Sequence, residues 1–232
     1  MCNVHGEEIV SVISSRIKAL LFLQIITFEG LVEAAGDSLF RLLSVEGGVE
    51  RSSDGSDWVP IEEKTELMPG TWLKTSRVGA ATLLLPDNTQ TRIGSNTILK
   101  LNIPKTSVGS KSILLSLSEG KVWSRTNRVS VDLKIKIPGA TASVRGTEWV
   151  VEVTPSSDAK LSVLEGSIAL KTSSESVQIQ SGQSASVKAI NGAIRLSSIV
   201  SSDEIRQFIY RYKLEPLATC RRGKFLFGQK AC

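Results

Sequence analysis

The chain has 232 residues, 41% hydrophobic and 22% charged, a globular composition that excludes a disordered or fibrous protein. Its net charge of +5 arises at the end: residues 206–232 hold seven basic residues against Glu215 alone, leaving 21 basic and 22 acidic residues before them. With no basic stripe along the body and no aromatic-rich RNA signature, nucleic acid is not an expected partner.

In chain order, the first informative residue is His5, the sole histidine. The main domain therefore has no histidine for a Ser/His/Asp or Cys/His catalytic unit, or for a His-containing zinc site. Gly-rich phosphate loops of the GxxxxGK[ST] or GxGxxG kind are also missing. The expectation is a non-enzymatic protein without cofactor or metal. Arg16 and Lys18 then precede the apolar run ALLFLQIITF, followed by Gly30 and Val32-Glu33-Ala34. Basic flank, short apolar run and small residues at the cleavage positions are the order of a secretory signal. The reading is a signal peptide over 1–34, with export to the periplasm or cell envelope; the alternative is a buried helix or strand, and Glu7 and Glu8 are atypical of a signal. The run is shorter than the roughly 20 apolar residues a membrane span needs, so the processed chain is not expected to be an integral membrane protein.

Residues 35–200 alternate short apolar runs with turn residues, an all-β pattern. SVEGGVE, LSEGKVW and VLEGSIAL each bring an apolar approach to Glu-Gly and then to Val or Ile. Gly47, Gly120 and Gly166, with Gly182 in VQIQSGQSASV, read as hairpin turns, since glycine accepts the positive φ that tight reversals and bulges need. The repeats begin 73 and then 46 residues apart, an irregularity that favours an irregular two-sheet sandwich or roll of hairpins over the alternative β-solenoid. AATLLLPDNTQTRIG reads as a further hairpin, and SSDGSD as an exposed loop. Glu62 with Glu63, and Glu46, Glu119 and Glu165 before glycines, are the candidates for carboxylate chemistry, though such residues are mostly solvated.

In IPGATASVRGTEWVVEV, two stretches of strand material flank Arg145-Gly146-Thr147. The guanidinium offers five donors in a planar fork, suited either to buried carbonyls or carboxylates of neighbouring strands or to an anionic ligand. The structural alternative is preferred, with Arg145 as donor, Gly146 admitting a close backbone and Thr147 joining the turn bonds. Trp58, Trp72, Trp123 and Trp149 are core or core-rim candidates, the alternative being an aromatic platform for a cell-wall glycan. Ser201 and Glu204 form a capping box, and Ile205, Phe208, Ile209 and Tyr212 recur at helical spacing until Pro216. This predicts an amphipathic helix over 201–216 that closes the β core or contacts a partner. A basic tail over 217–232 carries Cys220 and Cys232, which could pair in an oxidising compartment or remain thiols.

SVEGGV, MPGTWLKT, GAATLLLPDNTQTRIGSNTILKL, IPGATASVRGTEWVVEV, LSVLEGSIAL and SGQSASV, in that order, resemble the successive blocks of the FecR domain, with Val144-Arg145-Gly146-Thr147 the most specific. The resemblance covers roughly residues 40–190 and implies an exported, β-rich binding or scaffold module. About 40 residues precede it, so the anti-sigma segment of the regulator proper, and sigma-factor control with it, are not carried over. DEIRQFIYRYKLEP resembles the junction by which some FecR-domain proteins pass into helical repeats. The expected function is a non-enzymatic protein-binding or scaffold role in the cell envelope, with envelope signalling as its setting, through strand edges or the terminal helix. The rivals are a cell-wall glycan binder and a carboxylate-based hydrolase.

Overall fold

A computed structural model of the protein describes residues 39–104, 112–126 and 132–198. The signal segment, the 201–216 helix with Ile205, Phe208, Ile209 and Tyr212, and the tail with Cys220 and Cys232 lie outside the described residues.

The described residues form strands and no helix. In chain order these are β1 (Phe40–Glu46), β2 (Val49–Ser52), β3 (Val59–Pro60), β4 (Glu66–Leu67), β5 (Trp72–Thr75), β6 (Ala80–Leu84), β7 (Gln90–Ile93), β8 (Ile98–Asn102) and β9 (Ser112–Arg125). There follow β10 (Asp132–Ile137), β11 (Ala140–Val144), β12 (Glu148–Val153), β13 (Ala159–Glu165), β14 (Ser167–Lys171), β15 (Ser176–Gln180), β16 (Gln183–Val187) and β17 (Ile194–Ser198).

All seventeen are linked by hydrogen bonding, and their pairings resolve into two layers that share β9. Sheet A runs β4-β1-β6-β7-β9-β12-β13-β16-β17. Sheet B runs β3-β2-β5-β8-β9-β10-β11-β14-β15. Residues 112–119 of β9 pair within sheet B and residues 120–125 within sheet A. Every pairing is antiparallel except β9 with β10. Neither sheet closes into a barrel, and the all-β, two-sheet expectation holds.

Alternation explains the core between the two sheets. Leu73, Leu99, Leu101, Leu115 and Ile135 of sheet B and Leu83, Ile93, Val122, Trp149 and Leu161 of sheet A belong to one buried cluster, while the residues between them point outward. Each such fully buried side chain contributes roughly 1.5–3 kcal/mol relative to exposure.

The Glu-Gly repeats have a different role from the one their sequence suggests. Gly47 lies between β1 of sheet A and β2 of sheet B, Gly120 inside β9 where it changes sheet, Gly166 between β13 and β14, and Gly182 between β15 and β16. None of the four is a hairpin turn. Each is a corner at which the chain leaves one layer for the other, and VQIQSGQSASV is likewise a corner. Positive φ at a glycine permits a sharp change of direction, but whether the next strand pairs with the previous one or with the opposite sheet is set by distant partners. A hairpin is formed where AATLLLPDNTQTRIG was expected to form one, as β6 pairs with β7.

Candidate functional site

The Val144-Arg145-Gly146-Thr147 segment is another corner, joining β11 of sheet B to β12 of sheet A. Val144 is buried in the core cluster. Gly146 has φ +61°. Thr147 is 2% exposed; its N–H donates to Thr126 Oγ1 at 2.6 Å, and Thr126 returns N–H and O–H bonds to the Thr147 carbonyl at 3.0 and 2.9 Å. A Cβ on Gly166 would stand 2.7 Å from Thr147 Cγ2 and 2.8 Å from the Gly146 carbonyl oxygen, so two corners pack directly on one another. The close approach is made at Gly166, and Thr147 joins the corner through its backbone, its buried hydroxyl having no hydrogen-bond partner among the described residues. Arg145 is not the expected donor: it is exposed and forms no hydrogen bond or ion pair with any described residue. It follows buried Val144 in the alternation, which turns its side chain out of the core.

The buried arginine is Arg92, 3% exposed. Its Nη2 donates to Glu46 Oε1 at 2.8 Å and its Nη1 to Thr82 Oγ1 at 3.0 Å. It sits directly opposite Trp123 on β9. The Trp123 indole N–H donates to Glu148 Oε1 at 3.0 Å, and Arg125 donates to Glu148 Oε2 at 3.1 and 2.6 Å. These charge-assisted bonds join β7 to β1 and β6 in one group and β9 to β12 in another on the outer face of sheet A. Partners up to 46 positions apart leave no local sequence signal.

Trp123 and Trp149 are 2% and 0% exposed and cannot form a glycan platform. Trp58 and Trp72 are half-buried, with the ammonium groups of Lys74 and Lys100 at 5.2 and 4.8 Å from their ring centroids, a cation–π arrangement.

Carboxylates meet at one open cleft of about 340 Å³, which Glu119 and Glu152 line together with Asn96 and Lys121. Lys121 Nζ is 2.9 Å from Glu152, whose side chain is 49% exposed. This is a solvated ion pair, of a kind that contributes little to stability. Among the described residues no group of three or more His, Cys, Asp and Glu is placed to hold a metal.

Two loop carboxylates are held below the ordinary aspartate range. Asp54, in SSDGSD, accepts from the Ser56 N–H, the Ser56 and Ser52 hydroxyls and the Asp57 N–H. Asp158 is lowered chiefly by its hydrogen bond with Lys188. Both stabilise turns.

Among the described residues, sheet B ends on β3 and β15 and sheet A on β4 and β17; β15 and β17 are largely exposed, and Leu196 of β17 is 44% exposed.

Architecture and corners together define an open, two-layer β module built around one shared strand. Residues 72–169, from β5 into β14, match the model of the FecR protein family: the chain carries a FecR domain. Among solved structures it is similar to a candidate anti-sigma factor from Parabacteroides distasonis ATCC 8503, with a TM-score of 0.51 and 15% identity over 60% of this chain and 64% of that one. A second crystal structure of the same description gives a TM-score of 0.47 and 16% identity over 55% and 59%. The chain thus matches under two thirds of the length of either. No curated protein matches the sequence.

Proposed function

We propose that this FecR-domain chain is a non-enzymatic regulatory or scaffold module of the bacterial cell envelope that binds another protein by strand addition at β15 or β17. The observation that carries this reading is that each sheet ends on an exposed strand whose outer edge has no strand partner among the described residues. Such an edge presents a row of backbone donors and acceptors, and an extended segment of a partner can complete it. Export rests on the basic flank and apolar run before Ala34.

A photo-crosslinking residue placed at Gln178 of β15 or Leu196 of β17, in the full chain inside its own cells, should give a discrete protein adduct in the envelope fraction. The same residue at Ser56, in an exposed loop remote in sequence from both edges, should not. Gln178→Pro or Leu196→Pro should abolish the adduct of its own strand, because proline removes a donor yet is tolerated at a sheet edge. Adducts at Ser56 alone, or edge adducts indifferent to proline, would refute strand addition.

A further inference from the structure

The register of sheet B assembles a row that no segment of the sequence contains. Directly opposed residues run Trp72 (β5), Lys100 (β8), Ser116 (β9), Lys136 (β10), Thr141 (β11), Lys171 (β14) and Ser176 (β15). Opposed residues share a face. Their chain neighbours Leu99, Leu101, Leu115, Ile135, Ile137, Ala142 and Leu170 are core residues, so the row lies on the outer face.

Three features set it apart. Its lysines stand on every second strand, and at about 4.8 Å per strand they repeat roughly every 9.5 Å. A hydroxyl occupies each strand between and beyond them. No carboxylate belongs to the row, and among the described residues none of the three lysines has an acidic partner, whereas Lys74 and Lys134 in flanking rows pair with Glu50 at 3.7 Å and Asp132 at 2.8 Å. The outer face of sheet A shows the contrast: its row Lys121, Glu152, Lys160 alternates in sign. Lys136, Thr141 and Lys171 also line an open cleft of about 370 Å³ with Thr172 and Ser173.

We infer that this row binds a linear acidic polysaccharide laid across the strands, with its carboxylates on Lys100, Lys136 and Lys171 and its hydroxyls on Ser116, Thr141 and Ser176. A sugar ring is about as long as the strand spacing, so a chain charged on every second sugar meets a lysine at each charge and a hydroxyl at each neutral ring. Trp72 ends the row, its half-buried ring lying under the Lys100 ammonium at 4.8 Å. Uniform positive charge favours a polyanion over a neutral glycan, and alternation with hydroxyls favours a sugar over a densely charged phosphate chain. This inference is independent of strand addition at β15 and β17.

The test is calorimetric titration of the full chain with a hyaluronan decasaccharide, in which uronate and neutral sugar alternate. Binding is expected, weakened by salt, and reduced at least tenfold by combined Lys100→Gln, Lys136→Gln and Lys171→Gln. Lys160→Gln, on sheet A, should leave it unchanged. Surface Lys→Gln changes retain the fold, and an unaltered denaturation midpoint checks this. The inference is overturned if the triple variant binds as tightly as the parent, if a neutral chitin oligosaccharide of equal length competes equally, or if anionic vesicles or single-stranded DNA bind through these lysines while hyaluronan does not.

Discussion

Gly120 and Gly70 have the same φ, +97°, and different surroundings. A Cβ at Gly70 meets nothing within 4 Å, whereas at Gly120 it would lie 2.2 Å from Thr97 Oγ1, 2.4 Å from Thr97 Cα and 2.6 Å from the Asn96 carbonyl oxygen. Gly70→Ala should therefore cost only the backbone strain of about 1–2 kcal/mol. Gly120→Ala should cost that and a forced separation of two corners, roughly 1–3 kcal/mol more. Urea midpoints of the two variants measure the difference; equal midpoints would mean that the corner can open without penalty. The arginines teach the same lesson. Arg145→Ala should leave the midpoint unchanged, and Arg92→Ala should lower stability by about 1–3 kcal/mol by leaving the buried Thr82 hydroxyl without its donor. The sequence points to Arg145 as the structural donor; the burial that gives that role to Arg92 instead comes from strands dozens of residues away.

Elements were legible as breaks and runs, and their destinations were not. Glu-Gly marks a change of direction at Gly47, Gly120, Gly166 and Gly182, yet each strand beyond it pairs in the opposite sheet, because hydrogen-bonding partners are chosen by register rather than by the turn. The lysine row was hidden for the same reason: Lys100, Lys136 and Lys171 are separated by 36 and 35 positions, so a body that is neutral in sequence carries a basic stripe in space. The SSDGSD loop was visible as a loop, and its chemistry follows from side chains two and three residues apart. Hydrogen bonds from the Ser56 N–H first, then from the two serine hydroxyls and the Asp57 N–H, favour the charged form of Asp54. Its folded pKa lies below the unfolded value near 3.9, so what it adds to the loop is fully present above that pH and is lost as pH falls through the folded value. An NMR titration should find Asp54 still ionised where an ordinary aspartate is half protonated. Replacing Ser56 by Ala should move its midpoint upward; a midpoint at the ordinary value in the parent protein would refute the hydrogen-bond arrangement.

At the scale of the molecule, β9 makes the two layers one cooperative object. Its first half is flanked in sheet B by β8 and β10, and its second half in sheet A by β7 and β12, so strands from both halves of the domain dock on it in both layers. Strands β1 to β8 cannot keep a complete core without β9, and β10 to β17 are hydrogen-bonded to them only through it. Loss of β9 removes Leu115, Leu117 and Val122 from the cluster at once, several kcal/mol of burial felt on both sides. Native-state amide exchange with increasing denaturant should therefore show the protected amides of β6 and β7, before β9, and of β12 and β13, after it, converging on a single opening free energy equal to that of global unfolding. A family of amides in β12 to β16 that opens together at clearly lower free energy, while β6 and β7 stay protected, would show that the shared strand can be peeled from one half, and the molecule would have to be treated as two folding units.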